Sequence, residues 1–158
     1  MKNRLLKVLS LATFVFVMGV VSTTNAQSIS GSIGNGKVAA GKTTRATVVL
    51  SVPGGLHVNS SRPGSEYAIP TSVSASSSGG VKIGSVSYPR GKNRKFGFSE
   101  DTLNVYDGRT AFSFNVTVPA NYRAMSVKVN VTVRYQACTN EVCYPPKTKK
   151  LTMTALVL

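Results

Sequence analysis

The chain has 158 residues, of which 19 are Lys or Arg and five are Asp or Glu, so its formal net charge is +14. A length of this order fits one domain with a hydrophobic core of its own, and two cysteines are too few for a small protein held together by disulfides. The basic residues are scattered and no stripe of aromatic and basic residues accompanies them, so we expect no nucleic acid partner.

The first 26 residues have the pattern of a secretory signal peptide. "MKNRLLK" carries three positive charges, residues 9–21 are apolar, and the small residues Thr24 and Ala26 precede the expected cleavage point. The apolar stretch is short for a transmembrane helix, which needs about 20 residues, so we expect no stable membrane insertion; an uncleaved anchor is the alternative. We therefore predict a signal peptide at 1–26 and a periplasmic or otherwise extracytoplasmic location, where two thiols can pair.

Residues 27–43, "QSISGSIGNGKVAAGKT", are rich in Gly and Ser, and we predict a flexible lead-in there. Beyond it, apolar residues recur with period two and not with helical spacing. The alternation is clearest in 110–118 and 126–137, where Val, Phe and Tyr occupy one face and polar residues the other, as in half-buried antiparallel strands. Weaker strand candidates, in chain order, are 44–52, 56–59, 68–75, 82–88, 102–106 and 150–157.

Turn sequences rich in Gly, Pro, Asn and Ser separate these segments. They lie at 52–55, 62–64, 76–80, 89–93, 106–108 and 118–122. Short strands at this spacing predict an all-β fold, an immunoglobulin-like antiparallel β-sandwich at residues 44–158. The antibody type of this fold is excluded, because the chain has no tryptophan and its two cysteines lie close together in sequence. We expect a monomer.

The two cysteines, Cys138 and Cys143, enclose the sequence "TNEV" at the end of the 126–137 strand. A hairpin loop of this length would place them opposite each other, with Cα atoms roughly 4.5–5.5 Å apart, a separation that a disulfide can bridge. Three interpretations are open at this point: a structural staple, a metal site and a redox-active dithiol.

Each interpretation makes a different demand on the sequence. A structural disulfide would stabilise the fold little here. Loop-closure entropy gives a stabilisation of about 2 kcal/mol for a loop of about six residues, compared with about 4 kcal/mol for a loop of about 60. Zinc wants four ligands, and His57 is the only histidine. A redox thiolate needs partial exposure and positive charge, which Arg134 and Lys147 would supply, while Pro145 and Pro146 keep the second cysteine at a strand edge. On these chemical grounds alone, the structural disulfide and the redox-active dithiol remain about equally supported.

The stretch "YQACTNEVCYPPKTKKL" resembles the closing motif of the N-terminal periplasmic domain of the thiol:disulfide interchange protein DsbD. That motif runs Tyr-Gln-x-Cys, a short loop, Cys, an aromatic or aliphatic residue and Pro-Pro. The matching positions are Tyr135, Gln136, Cys138, Cys143, Tyr144, Pro145 and Pro146. "GLHVN" at 55–59 is similar to an early strand of the family, and 95–118 is similar to its cap-loop region and the strand that follows.

The resemblance implies an immunoglobulin-like domain whose cysteine pair carries reducing equivalents by thiol–disulfide exchange, without a cofactor. It implies a thioredoxin-like or membrane dithiol protein as electron donor and oxidised extracytoplasmic thiol proteins as acceptors. Of the two predicted catalytic residues, Cys143 would form the mixed disulfide and Cys138 would resolve it. This sequence carries no fused membrane or thioredoxin-like domain, so we expect a separate donor. The alternative is a noncatalytic immunoglobulin-like binding module with a structural disulfide.

The family shields its cysteines with a loop that carries an aromatic residue. The matching stretch here is "RKFGF", with Phe96 as the candidate lid and Phe98 as the second candidate. Ordinary core packing is the competing interpretation for both rings. Arg94 and Lys95 stand where relatives near DsbD carry acidic residues, and this departure indicates a partner of different charge.

Two further positions come from the early strand. His57 and Asn59 fall where the family often has aromatic residues that face the cysteines. His57 would either tune a thiolate or simply pack within a strand. The predicted surroundings of the cysteine pair are completed by Tyr135, Gln136, Tyr144 and Pro145.

Overall fold

The computed structural model describes residues 26–158, and within this range the chain is built entirely from strands, turns and loops. The predicted signal peptide therefore lies, apart from its last residue, outside the described residues. The strands are β1 (Ser28–Ile33), β2 (Lys37–Val38), β3 (Thr43–Ser51), β4 (His57–Asn59), β5 (Ser72–Ser77), β6 (Lys82–Ile83), β7 (Lys92–Lys95), β8 (Thr102–Tyr106), β9 (Arg109–Thr117), β10 (Ser126–Tyr135), β11 (Ala137–Cys138) and β12 (Lys147–Val157). None of the elements in residues 26–158 is a helix long and apolar enough to cross a bilayer.

The strands form three sheets of four strands each. The first has the order β1-β3-β9-β6, the second β2-β12-β10-β5, and the third β11-β4-β8-β7. The first two sheets bury their inner faces in one shared hydrophobic core, to which β3, β9, β10 and β12 all contribute. All strand pairs are antiparallel except β2 with β12, which run parallel. The predicted immunoglobulin-like β-sandwich is confirmed.

The alternating patterns that predicted β9 and β10 correspond to alternating burial. In β10 every second side chain from Val127 to Tyr135 is buried, and in β9 Phe112, Phe114 and Val116 are buried while their neighbours are not. Burying each such Val or Phe side chain is worth roughly 1.5–3 kcal/mol relative to leaving it exposed. The register between strands is therefore fixed, since a slip by one residue would turn the apolar set outward.

The prediction of a flexible lead-in at 27–43 is wrong, because this stretch contains β1 and β2. β1 pairs with β3 along its whole length, from Ser28 opposite Ser51 to Ile33 opposite Ala46. A Cβ atom on Gly31 would lie 2.6 Å from Met153 Sδ and 2.7 Å from the Thr47 carbonyl oxygen. The small residues thus let an edge strand pack closely against β12 of the opposite sheet, and they do not indicate a loose chain.

Other boundaries also differ from the sequence prediction, among them those of β5, which is Ser72–Ser77 where the prediction is 68–75. β7 begins at Lys92, inside the stretch predicted as the turn 89–93, and all four of its side chains are exposed, so it shows no alternation. The predicted strand 82–88 is reduced to the two residues of β6 and an isolated bridge between Ser87 and Ser113. β12 begins at Lys147, three residues before the predicted start, and pairs with β10 from Lys147 to Leu156.

The third sheet, which we call the site sheet (β11-β4-β8-β7), continues directly from the end of β10, with only Gln136 between β10 and β11. It has a small hydrophobic cluster of its own, formed by Phe96, Leu103 and Val105 with Ala68 packed against them. Through this sheet the rigid strand β10 fixes the position of the first cysteine.

Candidate functional site

The cysteine pair closes a short hairpin. Cys138 ends β11, and Cys138 and Cys143 face each other as an isolated antiparallel bridge, joined by a disulfide with their Cα atoms 4.0 Å apart. The Tyr144 amide donates a hydrogen bond of 2.8 Å to the Ala137 carbonyl oxygen just beyond the disulfide. The prediction that the loop places the two cysteines opposite each other is confirmed.

The turn between the cysteines is held by Thr139. Its amide donates to the Val142 carbonyl oxygen at 2.8 Å, and its Oγ1 accepts from the amides of Glu141 at 3.1 Å and Val142 at 3.0 Å. Such side-chain bonds to nearby amides are typical of Thr in turns. None of these bonds involves a sulfur atom, so the hydrogen bonds of the turn do not depend on an intact disulfide.

The two cysteines differ in exposure. Cys138 is fully buried, while Cys143 is partly exposed and lines a cavity of about 580 Å³. We call this space the Cys143 cavity. Its lining residues are Asn59, Ser65, Glu66, Tyr67, Ala68, Phe98, Ser99, Glu100, Asp101, Leu103, Gln136 and Cys143. A thiol or disulfide that approaches from solvent therefore meets Cys143 first.

The side chains of Gln136 and Asn59 connect the backbone after Cys143 to the site sheet. Gln136 Nε2 donates to the Tyr144 carbonyl oxygen at 3.2 Å, and Gln136 Oε1 accepts from Asn59 Nδ2 at 3.1 Å. Asn59 Nδ2 also donates to the Ile69 carbonyl oxygen at 3.1 Å. These contacts fix the segment that carries Cys143 relative to β4, and both predicted residues lie at the site.

Three aromatic rings form a continuous stack beside the disulfide. His57 on β4 is the register partner of Cys138, and its ring lies parallel to that of Phe96, with centroids 4.2 Å apart. Phe96 in turn stacks on Phe98, with centroids 5.3 Å apart. Phe96 is buried, whereas Phe98 is exposed and lines the Cys143 cavity. The first candidate lid is thus the middle ring of the stack, and the second candidate lines the same cavity as Cys143.

Burial and charge both act on His57. Burial is the main cause that lowers the pKa of His57, the positive charge of Arg94 lowers it further, and Asp107 opposes both. His57 Nε2 is buried without a hydrogen-bond partner among residues 26–158. Arg94 and Lys92 both form ion pairs with Asp107, at 2.5 and 2.8 Å. Burial and the charge of Arg94 therefore both favour the neutral form of the imidazole.

The remaining predicted residues lie at different depths. Tyr135 is completely buried in the main core, where its hydroxyl lies 3.5 Å from Gln27 Oε1, and burial raises its pKa. Tyr135 therefore supports β10 from the core and does not line the cavity. Tyr144 and Pro145 are exposed on the chain that leaves Cys143.

Sequence reasoning missed the outer wall of the Cys143 cavity, which consists of two loops, 65–68 and 99–101. These loops carry no motif and are far apart in sequence. One signal was available: three of the five acidic residues of this basic chain, Glu66, Glu100 and Asp101, lie in them. In the part of the chain that the structure describes, no group of three or more His, Cys, Asp or Glu side chains is placed to hold a metal ion.

Several solved structures are similar in fold, and two of them follow. The N-terminal periplasmic domain of ScsB from Proteus mirabilis superposes with a TM-score of 0.55 at 12% sequence identity, over 82% of this chain and 46% of that one. This chain thus spans about half the length of that structure. A family 123 glycoside hydrolase from Clostridium perfringens reaches a TM-score of only 0.35 at 12% identity, over 83% of this chain and 27% of that one, and carries no argument.

Sequence comparison identifies the family. No curated protein matches the chain, but residues 33–155 match the family described as thiol:disulfide interchange protein DsbD, N-terminal. The matched range includes both cysteines, the aromatic stack and the residues that line the Cys143 cavity. This chain therefore belongs to the DsbD N-terminal domain family.

Proposed function

We propose that this chain is an exported thiol:disulfide exchange domain that relays reducing equivalents through Cys138 and Cys143. The observation that carries the proposal is the difference in exposure within the pair, since Cys143 opens onto a cavity while Cys138 is buried behind it. Family membership supports the general activity. A purely structural disulfide would not require that one of its sulfur atoms be accessible from a cavity.

The exchange proceeds through a mixed disulfide. A donor thiolate attacks the Cys143 sulfur, the Cys138–Cys143 bond breaks, and Cys138 leaves as a thiolate. The second thiol of the donor then attacks the donor sulfur that is bonded to Cys143, and Cys143 leaves as a thiolate. The donor is thereby oxidised by two electrons and the cysteine pair is reduced by two. In the outgoing half, the Cys143 thiolate attacks an acceptor disulfide and Cys138 resolves the mixed disulfide, which restores the starting state.

The parts around the pair have separate roles in this proposal. Gln136 and Asn59 hold the backbone at Cys143 in place, while Phe98, supported from below by Phe96 and His57, covers the approach to the disulfide as a lid. No cofactor enters the exchange. The pair changes its redox state without a change of fold, because Thr139 holds the turn independently of the sulfurs.

The proposed partners lie outside the cytoplasm. The similar ScsB domain is described as periplasmic, and residues 1–26 have the pattern of a signal peptide. We propose a thioredoxin-like or membrane dithiol protein as donor and oxidised extracytoplasmic thiol proteins as acceptors. The exchange domain includes β1 and so begins before the predicted residue 44.

Trapping tests the roles of the two cysteines. The variants Cys138→Ala and Cys143→Ala are each incubated with a thioredoxin that lacks its resolving cysteine and is activated as a thionitrobenzoate disulfide. We expect Cys138→Ala to accumulate the covalent complex on a non-reducing gel and Cys143→Ala to react far more slowly. Equal rates would show that the assignment of roles is wrong. A failure of both variants to react would favour the noncatalytic binding module with a structural disulfide.

A further inference from the structure

The charge around the Cys143 cavity is opposite to that of the rest of the protein. Residues 27–158 carry a net charge of +11, since three of the 19 basic residues and none of the five acidic residues lie in 1–26. Yet Glu66, Glu100 and Asp101 line the cavity, and no Lys or Arg is among its lining residues within the described part of the chain. Three of the five acidic residues of the chain thus line the same cavity as Cys143.

The three carboxylates are not neutralised by the protein itself. Within residues 26–158, no Lys, Arg or His nitrogen lies within 4.0 Å of a carboxylate oxygen of Glu66, Glu100 or Asp101. The neighbouring cation Lys95 donates to the backbone carbonyl oxygen of Glu100 and not to its carboxylate. The cavity therefore presents negative charge that a positively charged group from outside can pair with.

A second observation, independent of the acids, also indicates a donor-bearing ligand. Asn59 lines the cavity and is 1% exposed, and its Oδ1 has no hydrogen-bond partner among the described residues. Its orientation is fixed, because Nδ2 donates to two acceptors, the Ile69 carbonyl oxygen and Gln136 Oε1. Burying an acceptor without a donor destabilises the folded protein, so a ligand that supplies an N–H group to Asn59 Oδ1 would regain that loss.

Two exposed aromatic rings complete the wall. Tyr67 is 86% exposed and Phe98 is 38% exposed, and both line the cavity. Exposed rings beside carboxylates can hold Lys and Arg side chains, since the faces of aromatic rings attract cations. Negative charge, an unused acceptor and aromatic faces thus surround the sulfur that partners reach first.

We propose that the Cys143 cavity recognises the partner by a Lys or Arg side chain next to the partner's reactive cysteine. This inference rests on the proposed exchange function and specifies its partner class. The occupant is a segment of a partner protein, with the cationic side chain among the three carboxylates and a backbone or side-chain N–H group donating to Asn59 Oδ1. This preference is opposite to the one that net charge predicts, because a protein of charge +11 attracts anionic peptides at long range.

Matched peptides test the proposal. Three probes have the sequence acetyl-Gly-X-Cys-Gly-amide, with X as Arg, Gln or Glu and the cysteine activated as a thionitrobenzoate disulfide. Attack by the Cys143 thiolate of the reduced protein releases thionitrobenzoate, whose absorbance gives the rate, and Cys138 then releases the peptide thiol. At low ionic strength we expect the Arg peptide to react about fivefold to tenfold faster than the Gln peptide, and the Glu peptide to react slowest. The preference should fall as salt screens the charges.

A charge-neutral cavity supplies the control. In the variant Glu66→Gln/Glu100→Gln/Asp101→Asn the ratio of the Arg to the Gln rate should fall to about 1 or below, while Glu141→Gln, which changes an exposed acid of the turn outside the cavity lining, should keep it. Comparing ratios removes any general change in thiolate reactivity.

The possible results separate the two proposals. Equal rates for all three peptides, a faster Glu peptide, or an unchanged ratio in the triple variant would overturn the cationic-partner inference and leave the exchange function standing. No release from any peptide by the wild-type protein would instead refute the exchange function itself.

Discussion

His57 makes the stability of the protein depend on pH in a way that can be calculated in advance. The residue is 2% exposed and its ring stacks on that of Phe96, Nε2 has no hydrogen-bond partner within residues 26–158, and burial and Arg94 lower its pKa. The folded protein therefore binds a proton less readily than the unfolded chain, in which a histidine titrates near 6.5. The contribution of neutral His57 to the free energy of unfolding is therefore fully present above that pH and decreases as the pH falls below it.

The size of the effect has an upper limit. If the folded state excluded the proton entirely, the free energy of unfolding would fall by about 1.4 kcal/mol for each pH unit below 6.5, or about 2 kcal/mol at pH 5. His57 is the only histidine of the chain, and carboxyl groups in unfolded chains titrate nearer pH 4. A loss of stability between pH 7 and pH 5 is thus assigned to one residue.

The variant His57→Phe isolates this contribution. Phenylalanine can keep the stack on Phe96 and removes the unpaired nitrogen, so at pH 7 we expect the variant to be at least as stable as the wild type. Urea unfolding followed by circular dichroism, with the disulfide intact, gives the free energy of unfolding at pH 7, 6 and 5. The wild type should lose up to about 2 kcal/mol across this range and the variant should lose much less. Parallel pH profiles for the two proteins would refute the reasoning.

Three other substitutions test the packing around the site and the fold. Gly31→Ala should lower the free energy of unfolding by about 1–3 kcal/mol, because the new Cβ would contact the Thr47 carbonyl oxygen. The control in the same urea titration is Gly54→Ala, whose Cβ would have no atom within 4 Å. We expect this control to change the free energy of unfolding little. Gln136→Ala should cost about 1–3 kcal/mol through its lost bonds and slow the release of thionitrobenzoate from the neutral peptide; unchanged values would show that it does not position Cys143. Phe98→Ala should speed reduction of the disulfide by dithiothreitol several-fold, and an unchanged rate would show that this ring is no lid.

The sequence predicts those parts of the fold where burial alternates. β9 and β10 were visible because each places apolar side chains in the core at every second position. β7 was not visible, because all four of its side chains are exposed and polar. The small residues of β1 resemble those of a flexible segment in sequence, but Gly31 is required by the close approach of β12. This approach is a tertiary contact and leaves no periodic pattern in the sequence.

At the site, too, local features can be predicted from the sequence, whereas features that depend on tertiary contacts cannot. The cysteine hairpin and the neighbours Gln136 and Asn59 could be predicted, since the first is local in sequence and the others stand in a recognisable motif or strand. The acidic wall of the cavity shows no motif in the sequence, since the loops 65–68 and 99–101 lie far apart along the chain and are neighbours only in the folded structure. Likewise, the difference in exposure between Cys138 and Cys143 depends on what packs over each sulfur.

The reduction potential of the Cys138–Cys143 pair tests the central claim most directly. The protein is equilibrated with glutathione buffers and with a reduced thioredoxin of known potential, and the reduced fraction is counted by alkylation and mass spectrometry. Structural disulfides typically have reduction potentials below about −300 mV. If the accessible Cys138–Cys143 disulfide serves in exchange, its potential should lie above that value. A pair that stays oxidised in all of these buffers and is not reduced by the thioredoxin would contradict the relay.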